Sequence, residues 1–509
     1  MTYLTVPITV SSIEQIPTAV AAALSAGAGM VELRLDYLDS PSPRDVCTAV
    51  ELAKKLSLPI IATCRAQWEG GEFAGAEDQR QLLLQQALKA GADYVDIELA
   101  AIKNKTVEFD NDKLIISSHD FERASGDFHN LLEHKKIHGG KVVKCAYMAQ
   151  KITDCFAALD MLHEQPGSIA MAMGEAGVIT RLLASKLGAF LTFASLGEGK
   201  ESAPGQVTVQ EMKRLYRHDA ITVDTKVYGV IGYPVGHSLS PALYNGLFDA
   251  TGFNGVYLPL LVEPSREIFN GFIDGVRQRK WLDFQGFSVT IPHKGNALEY
   301  VKSNGGHVDA LSEKIGAVNT LVIDSNDQLS GYNTDYLGAM QAILEALGAQ
   351  QNELKAMTVA VVGAGGVARS LVAGLTDVGA EVTIYNRTVE RARKLADEFG
   401  CRWHGRSELQ SLDAQLVINC TSIGMYPKVE DTPICGQILK KDMVVFDTVY
   451  NPLETRLLRE AKEKGAKTID GLRMFVNQAV RQYEMLTGRE VSKKIIDGVM
   501  AKYRQVRGN

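Results

Sequence analysis

Lys144 stands in an apolar run, Lys141-Val142-Val143-Lys144-Cys145-Ala146-Tyr147. Burial disfavours an ammonium, so a lysine in such surroundings is driven toward its neutral amine. That amine can condense with a ketone or aldehyde to form a Schiff base. A lysine snorkelling at a strand end would have the same local sequence. His119 ends Ile115-Ile116-Ser117-Ser118-His119-Asp120 and offers a general base or acid. Arg65 is followed four positions later by Glu69, and Arg181 comes after Met173-Gly174-Glu175-Ala176-Gly177. A guanidinium at such a place is suited to a bidentate hold on a carboxylate.

A second group of residues concerns phosphates. The apolar strand pattern Thr358-Val359-Ala360-Val361-Val362 runs into Gly363-Ala364-Gly365-Gly366-Val367-Ala368, with another strand expected over Glu381–Tyr385. A G-x-G-x-x-A turn between a strand and a helix is a dinucleotide signature. Gly363 permits the turn, Gly365 admits a pyrophosphate, and the helix N-terminus favours its charge. The second strand ends in Tyr385-Asn386-Arg387-Thr388, with Arg391 one helical turn further, where an NAD site would carry an acid. Arginines and hydroxyls welcome a 2′-phosphate, so the expected cofactor is NADP(H).

The elements that position these residues are also legible. Up to about residue 194, strand patterns fall at Leu4–Val10, Met30–Asp36, Pro59–Arg65, Ala92–Leu99, Lys113–His119, Lys141–Tyr147, Ser168–Met173 and Ala189–Ala194. Amphipathic segments such as Ala19–Ala28 and Gln79–Ala90 lie between them. Eight strand–helix repeats predict an α/β fold, a (β/α)8 TIM barrel. Alternation puts Glu32, Arg34 and Asp36 on one strand face, and Asp96 and Glu98 on another. In a barrel those charges point inward, where they must pair or act.

The whole chain, 509 residues, is long enough for two to four domains. With 54 basic and 60 acidic residues and no basic stripe, nucleic acid is an unexpected partner. No apolar run approaches the ~20 residues of a membrane span, and the first residues lack a signal-peptide pattern. Seven scattered cysteines (47, 64, 145, 155, 401, 420, 435) without a C-x-x-C pair read as reduced thiols, hence a cytoplasmic location. No metal site is expected; His134 and His138, four apart, sit in a charged surface stretch. A monomer binding small molecules is the expectation.

Val31-Glu32-Leu33-Arg34, Thr63-Cys64-Arg65, Ser118-His119-Asp120-Phe121, Val143-Lys144, Gly177-Val178-Ile179-Thr180-Arg181 and Ser202-Ala203-Pro204-Gly205-Gln206 together resemble the motifs of type I 3-dehydroquinate dehydratases, in order over residues 1–222. The resemblance implies that Lys144 condenses with the C3 ketone of 3-dehydroquinate. It implies that His119, oriented by Glu69, moves the C2 proton to the departing C1 hydroxyl. Arg181 would hold the carboxylate, and Glu32, Arg34, Arg65, Ser202 and Gln206 the remaining polar groups.

The rest of the chain is similar to shikimate dehydrogenases. The similarity is carried by Gly236-His237-Ser238-Leu239-Ser240-Pro241, Ser288-Val289-Thr290-Ile291-Pro292-His293-Lys294, Gly316-Ala317-Val318-Asn319-Thr320 and Gly331-Tyr332-Asn333-Thr334-Asp335. Asn419-Cys420-Thr421-Ser422-Ile423-Gly424-Met425 and Asp470–Gln478 complete it. It implies a substrate domain over 223–338, completed by helices in 471–509, and a Rossmann domain over 339–470. Lys294 and Asp335 would be the catalytic pair, with Ser238, Ser240, Thr290, Asn319, Tyr450 and Gln478 toward substrate. Asn386, Arg387, Thr388, Arg391, Thr421, Ser422, Gly424, Met425, Gly471 and Met474 would join the glycine turn around NADP(H). Together the halves imply dehydration of 3-dehydroquinate and then reduction of 3-dehydroshikimate to shikimate. Two alternatives stay open: quinate as the second half's substrate, which the paired hydroxyls of Ser238 and Ser240 disfavour, and an inactive regulatory relative.

Overall fold

The computed structural model describes residues 2–103, 107–124 and 128–507. The chain divides into two units, residues 1–284 with 497–509, and residues 285–496.

In the first unit, eight strands follow one another: β1 (Tyr3–Ile8), β2 (Met30–Arg34), β3 (Ile60–Thr63), β4 (Tyr94–Glu98), β5 (Leu114–Asp120), β6 (Val142–Met148), β7 (Ile169–Met173) and β8 (Leu191–Phe193). They pair in parallel in the order β7-β6-β5-β4-β3-β2-β1-β8. The first residues of the seam meet through Phe190 N–H donating to the Ser168 carbonyl (2.9 Å), which leaves an almost closed barrel.

Period-two alternation sorts the interior into layers. Met30, Ile61, Ile115, Val142, Ile169 and Leu191 form an apolar floor. Two residues further along the strands come Glu32, Thr63, Asp96, Ser117 and Lys144. Two further still come Arg34, Arg65, Glu98 and His119. The charges thus gather at the C-terminal ends of the strands, the face on which this fold carries its chemistry. The expected strand Met30–Asp36 stops at Arg34, because Leu35–Tyr37 forms a 3-10 turn. Asp36 turns back and accepts from Arg34 Nε (2.9 Å) and Nη2 (2.7 Å).

Past the barrel, the same unit holds β9 (Lys226–Gly232) and β10 (Gly255–Leu261), paired in parallel, and the helices Ser240–Thr251 and Arg266–Gln278. These pack on the barrel directly. Phe272 stacks on Phe156 with centroids 6.0 Å apart, and Arg279 donates to both carboxylate oxygens of Asp160 at 2.6 Å. The junction is therefore apolar stacking locked by a bidentate ion pair.

In the second unit, β11 (Phe284–Val289), β13 (Thr320–Ile323) and β14 (Leu329–Tyr332) pair antiparallel, and β12 (His307–Val308) lies parallel to β14. A separate parallel sheet contains β15 (Thr358–Val362), β16 (Glu381–Asn386), β17 (Arg402–Gly405), β18 (Leu416–Asn419), β19 (Val444–Asp447) and β20 (Lys467–Ile469). Its order, β17-β16-β15-β18-β19-β20, is the doubly wound arrangement, with the reversal beside β15. Val359 and Val361 feed the core on one face, Ala360 and Val362 the core on the other. Helix Thr334–Leu347 crosses helix Gly471–Thr487 at Gly338, where a Cβ would stand 2.7 Å from the Gln478 backbone nitrogen. That close crossing is what brings Gln478 beside Thr334 and Asp335.

Candidate active sites

One pocket at the barrel mouth is lined by all nine residues expected there: Glu32, Arg34, Arg65, Glu69, His119, Lys144, Arg181, Ser202 and Gln206. Lys144 Nζ donates to Asp96 Oδ2 at 2.9 Å and lies 3.4 Å from Glu32 Oε1. Arg65 bridges Asp96 (2.8 Å), Glu98 (2.8 Å) and Ser117 (2.9 Å), while Thr63 donates to Glu32 (2.9 Å). Burial alone would raise the Asp96 pKa; the adjacent Arg65 and Lys144 outweigh it and hold the carboxylate well below its ordinary range. Arg181 is 1% exposed and, among the described residues, is paired with no carboxylate. Its guanidinium meets Met171 Sδ (3.3 Å) and the Pro204 carbonyl (3.5 Å), and burial draws its pKa down to about 10. A buried guanidinium without a counter-charge is costly, and an incoming carboxylate would remove that cost. Ser202 and Gln206 close the loop on themselves through Gln206 Nε2 donating to Ser202 Oγ (2.9 Å).

His119 and Glu69 meet across 50 residues of sequence. Glu69 Oε1 accepts the His119 backbone N–H (2.8 Å) and stands 2.9 Å from Nδ1. An oxygen already accepting one N–H is an acceptor for the second, which places the ring hydrogen on Nδ1 and leaves the Nε2 lone pair for the pocket. Burial, then Arg65 and Lys144, lower the His119 pKa well below the usual value, so the imidazole is neutral. Burial pushes Glu69 up to about 8, against the opposing pull of Arg65.

The Glu69 shift has a consequence for stability. Between the unfolded value near 4.5 and about 8 the native state binds more protons at this site than the unfolded chain, so stability falls as pH rises. His119 acts oppositely but only below about 6.5. From pH 6.5 to 8 we therefore expect a loss of at most about 2 kcal/mol that Glu69→Gln abolishes. Thermal unfolding across that range checks it; an equal decline in wild type and variant would remove the assignment.

Two features of the site escaped the sequence. Lys144 was expected among Val143, Cys145 and Ala146; in the structure its amine faces carboxylates, because alternation turns Val143 and Cys145 away from the interior. Arg80, in the polar stretch Glu77-Asp78-Gln79-Arg80-Gln81, is fully buried, bonds the Cys64 carbonyl (2.7 Å) and pairs with Glu98 Oε2 (2.6 Å). Thr63 and Ser117 carried a signal, since both fall on the inward register.

The second constellation lies in the second unit. The Thr290 carbonyl accepts the His293 N–H (2.9 Å), a turn that sets Lys294 at the first position of helix Lys294–Ser303. Lys294 Nζ donates to Asp335 Oδ2, and Asn319 Nδ2 donates to Asp335 Oδ1 at 2.9 Å. Asn319 Oδ1 in turn accepts from Thr320 Oγ1 (2.9 Å) and Thr334 N–H (2.8 Å), which fixes its amide orientation. Thr334 Oγ1 donates to Gln478 Oε1 (3.3 Å). Gln482 was not expected; it ties Thr320 and the Asn319 carbonyl to Ser288. Tyr450 lies against Phe475, with ring centroids 5.3 Å apart and the planes tilted by 32°. Ser238 and Ser240 belong to the first unit, in the turn after β9, where Ser240 N–H donates to Ser238 Oγ (3.3 Å).

The glycine turn after β15 fits a dinucleotide. Gly363 has φ +119°, and a Cβ there would stand 3.0 Å from the Cys420 carbonyl oxygen. A Cβ on Gly365 or Gly366 would meet nothing within 4 Å, so there is open space above the N-terminus of helix Gly366–Asp377. Ala364 and Val367 are half-buried, whereas Ala368 packs fully into the core. Arg387, Thr388 and Arg391 are exposed at the end of β16, and Asn386 Nδ2 donates to the Thr388 carbonyl (2.9 Å). After β18, Asn419 Oδ1 accepts from Thr421 N–H (3.0 Å) and Oγ1 (2.7 Å), shaping the turn that carries Ser422, Gly424 and the exposed Met425. Gly471 opens its helix in a buried position, and Met474 sits largely in the apolar core.

Family profiles match along the chain: Type I 3-dehydroquinase over residues 4–222, Shikimate dehydrogenase substrate binding domain over 230–321, Shikimate / quinate 5-dehydrogenase over 346–428, and Shikimate 5'-dehydrogenase C-terminal domain over 471–499. The bifunctional 3-dehydroquinate dehydratase/shikimate dehydrogenase, chloroplastic, of Arabidopsis thaliana is 39% identical over 98% of this chain and 84% of its own length. The NADP(+) shikimate dehydrogenase of Methanosarcina acetivorans is 42% identical over 53% of this chain and 96% of its own. A solved shikimate dehydrogenase in complex with NADP+ is 38% identical, with TM-score 0.50, covering 56% of this chain and 97% of that one. The chain belongs to the bifunctional 3-dehydroquinate dehydratase/shikimate dehydrogenase family.

Proposed function

We propose that the barrel dehydrates 3-dehydroquinate to 3-dehydroshikimate and that the second half reduces this ketone to shikimate with NADPH. The observation that carries the reading is the convergence of Lys144, the His119–Glu69 pair and the uncompensated Arg181 on one pocket. In the first reaction Lys144 Nζ adds to the C3 ketone, and loss of water leaves an iminium that acidifies C2. His119 Nε2 takes the C2 proton and returns it to the C1 hydroxyl, which departs as water. Glu69 holds the ring by its backbone and side-chain contacts, and Arg181 binds the substrate carboxylate. Glu32, Arg34, Arg65, Ser202 and Gln206 hold the other polar groups.

For the second reaction NADPH, when bound, supplies the hydride. Gly363 to Ala368 would hold its pyrophosphate, Asn386, Arg387, Thr388 and Arg391 its 2′-phosphate, and Thr421 to Met425 with Gly471 its remaining length. Lys294 and Asp335 hold a proton at the substrate oxygen, and Asn319 fixes Asp335. Thr290, Asn319 and Gln478 are proposed for ring hydroxyls, and Ser238 and Ser240, on their motif alone, for the carboxylate.

Among the described residues no helix is long and apolar enough to cross a membrane, and none of the seven cysteines forms a disulfide. We place the protein in a reducing compartment such as the cytoplasm on the strength of those thiols. The test of function is one vessel: 3-dehydroquinate, NADPH and this chain, with absorbance followed at the nicotinamide band and products separated chromatographically. Shikimate is expected. Failure to oxidise NADPH from either 3-dehydroquinate or 3-dehydroshikimate would overturn the proposal.

A further inference from the structure

Three groups surround Lys144 Nζ, and they respond differently to the chemistry proposed there. Two are the carboxylates Asp96 (2.9 Å) and Glu32 (3.4 Å). The third is the ring of Phe193, from the last position of β8, whose centroid lies 4.8 Å from Nζ. Lys144 and Phe193 are each 5% exposed, so this contact is nearly dry. A desolvated cation over an aromatic face is worth more than an exposed one.

The covalent step separates these contacts. The ammonium first lends a proton to a pocket base, and the resulting amine adds its lone pair to the ketone carbon; the carbonyl oxygen takes one proton from the nitrogen and the lent proton back from the base, and leaves as water. What remains is a C=N bond with one hydrogen and a positive charge on nitrogen. An ammonium offers three N–H donors and the iminium only one. One N–H cannot satisfy both Asp96 and Glu32 as the ammonium does. The carboxylates keep their attraction for the charge but lose hydrogen bonds, whereas the attraction of a ring quadrupole needs no hydrogen, so the Phe193 contact survives condensation whole. Phe193 also packs in a cluster with Met171, Met173 and Leu191, so a test of its π face must keep the shape of the ring.

We propose that Phe193 is a catalytic residue of the barrel, its π face stabilising the cationic iminium on Lys144. This rests on the Schiff-base reading above. In the full-length protein, phenylalanine analogues with one, two and three ring fluorines at position 193 withdraw the negative face stepwise while keeping the shape. Dehydration kcat is expected to fall monotonically along the series, to roughly one-tenth at three fluorines, and the fraction of chain trapped by borohydride with ligand present to fall with it. Phe193→Leu should lie at or below the bottom of that series. Shikimate oxidation by the second half is the internal control and should stay constant. If the wild-type chain traps ligand but the fluorinated series is flat, Phe193 is only packing and the inference is lost. If the wild type itself shows no adduct, the covalent reading fails first and takes this one with it.

Discussion

Lys144→Met will lose dehydroquinate turnover by about 10⁴-fold or more, the scale seen when a covalent nucleophile is removed, while shikimate oxidation stays within about twofold. The choice of methionine matters. Lys144 is one partner of a buried ion pair, and deleting such a partner can cost roughly 3–5 kcal/mol by stranding the other charge. Here Asp96 is not stranded: it keeps Arg65 at 2.8 Å and the Ser117 hydroxyl at 2.5 Å. Glu32 keeps Thr63. Methionine also retains the apolar stem, so the fold should survive with its second activity intact as witness. Borohydride with ligand should add mass to the wild-type chain and none to the variant. A variant that still dehydrates at more than a hundredth of the wild-type rate would show that the elimination needs no covalent link. His119 would then have to be the whole of the barrel's chemistry.

The contacts around Lys144 are concealed in part by the sequence. Alternation within a strand is local, so Glu32 with Arg34, and Asp96 with Glu98, could be assigned an inward face from their spacing. Which charge meets which is not local: Lys144 lies 48 residues from Asp96 and 112 from Glu32, and only the barrel's closure joins them. Arg80 shows the opposite failure. It stands in the polar first turns of an otherwise amphipathic helix, the pattern of a solvated surface, and yet the side chain is sealed between Cys64 and Glu98. The motif Asp470–Gln478 does not show that Met474 also packs in the apolar core, since a helix start serves both the turn that faces outward and the packing beneath it. The glycine turn was legible because its geometry is demanded by backbone, not by partners. The orientation of Asn319 was not, because it is set by Thr320 and Thr334 together.

Asp335→Asn is the matching test of the second site, and its effect should be confined there. Asn319 presents Nδ2 to Asp335 because its own oxygen is already taken by Thr334 N–H and Thr320 Oγ1. The substituted amide must therefore turn its oxygen to Asn319 and its NH₂ to Lys294. Two donors then face each other, and Lys294 loses the acceptor that holds its proton in place. Removal of a positioned proton-transfer partner costs typically 10²–10⁴-fold, and we expect shikimate oxidation with NADP to fall by that amount in kcat. Asp335 also lies in the first turn of helix Thr334–Leu347, so the lost charge weakens the helix N-terminus by about 0.3–1 kcal/mol. That is too little to unfold the unit, and unchanged dehydration together with a small shift in Tm would establish it. A fall of less than tenfold would mean that Lys294 finds its proton elsewhere. Asn319 would then serve to shape β13 and the helix start and not to aim a carboxylate.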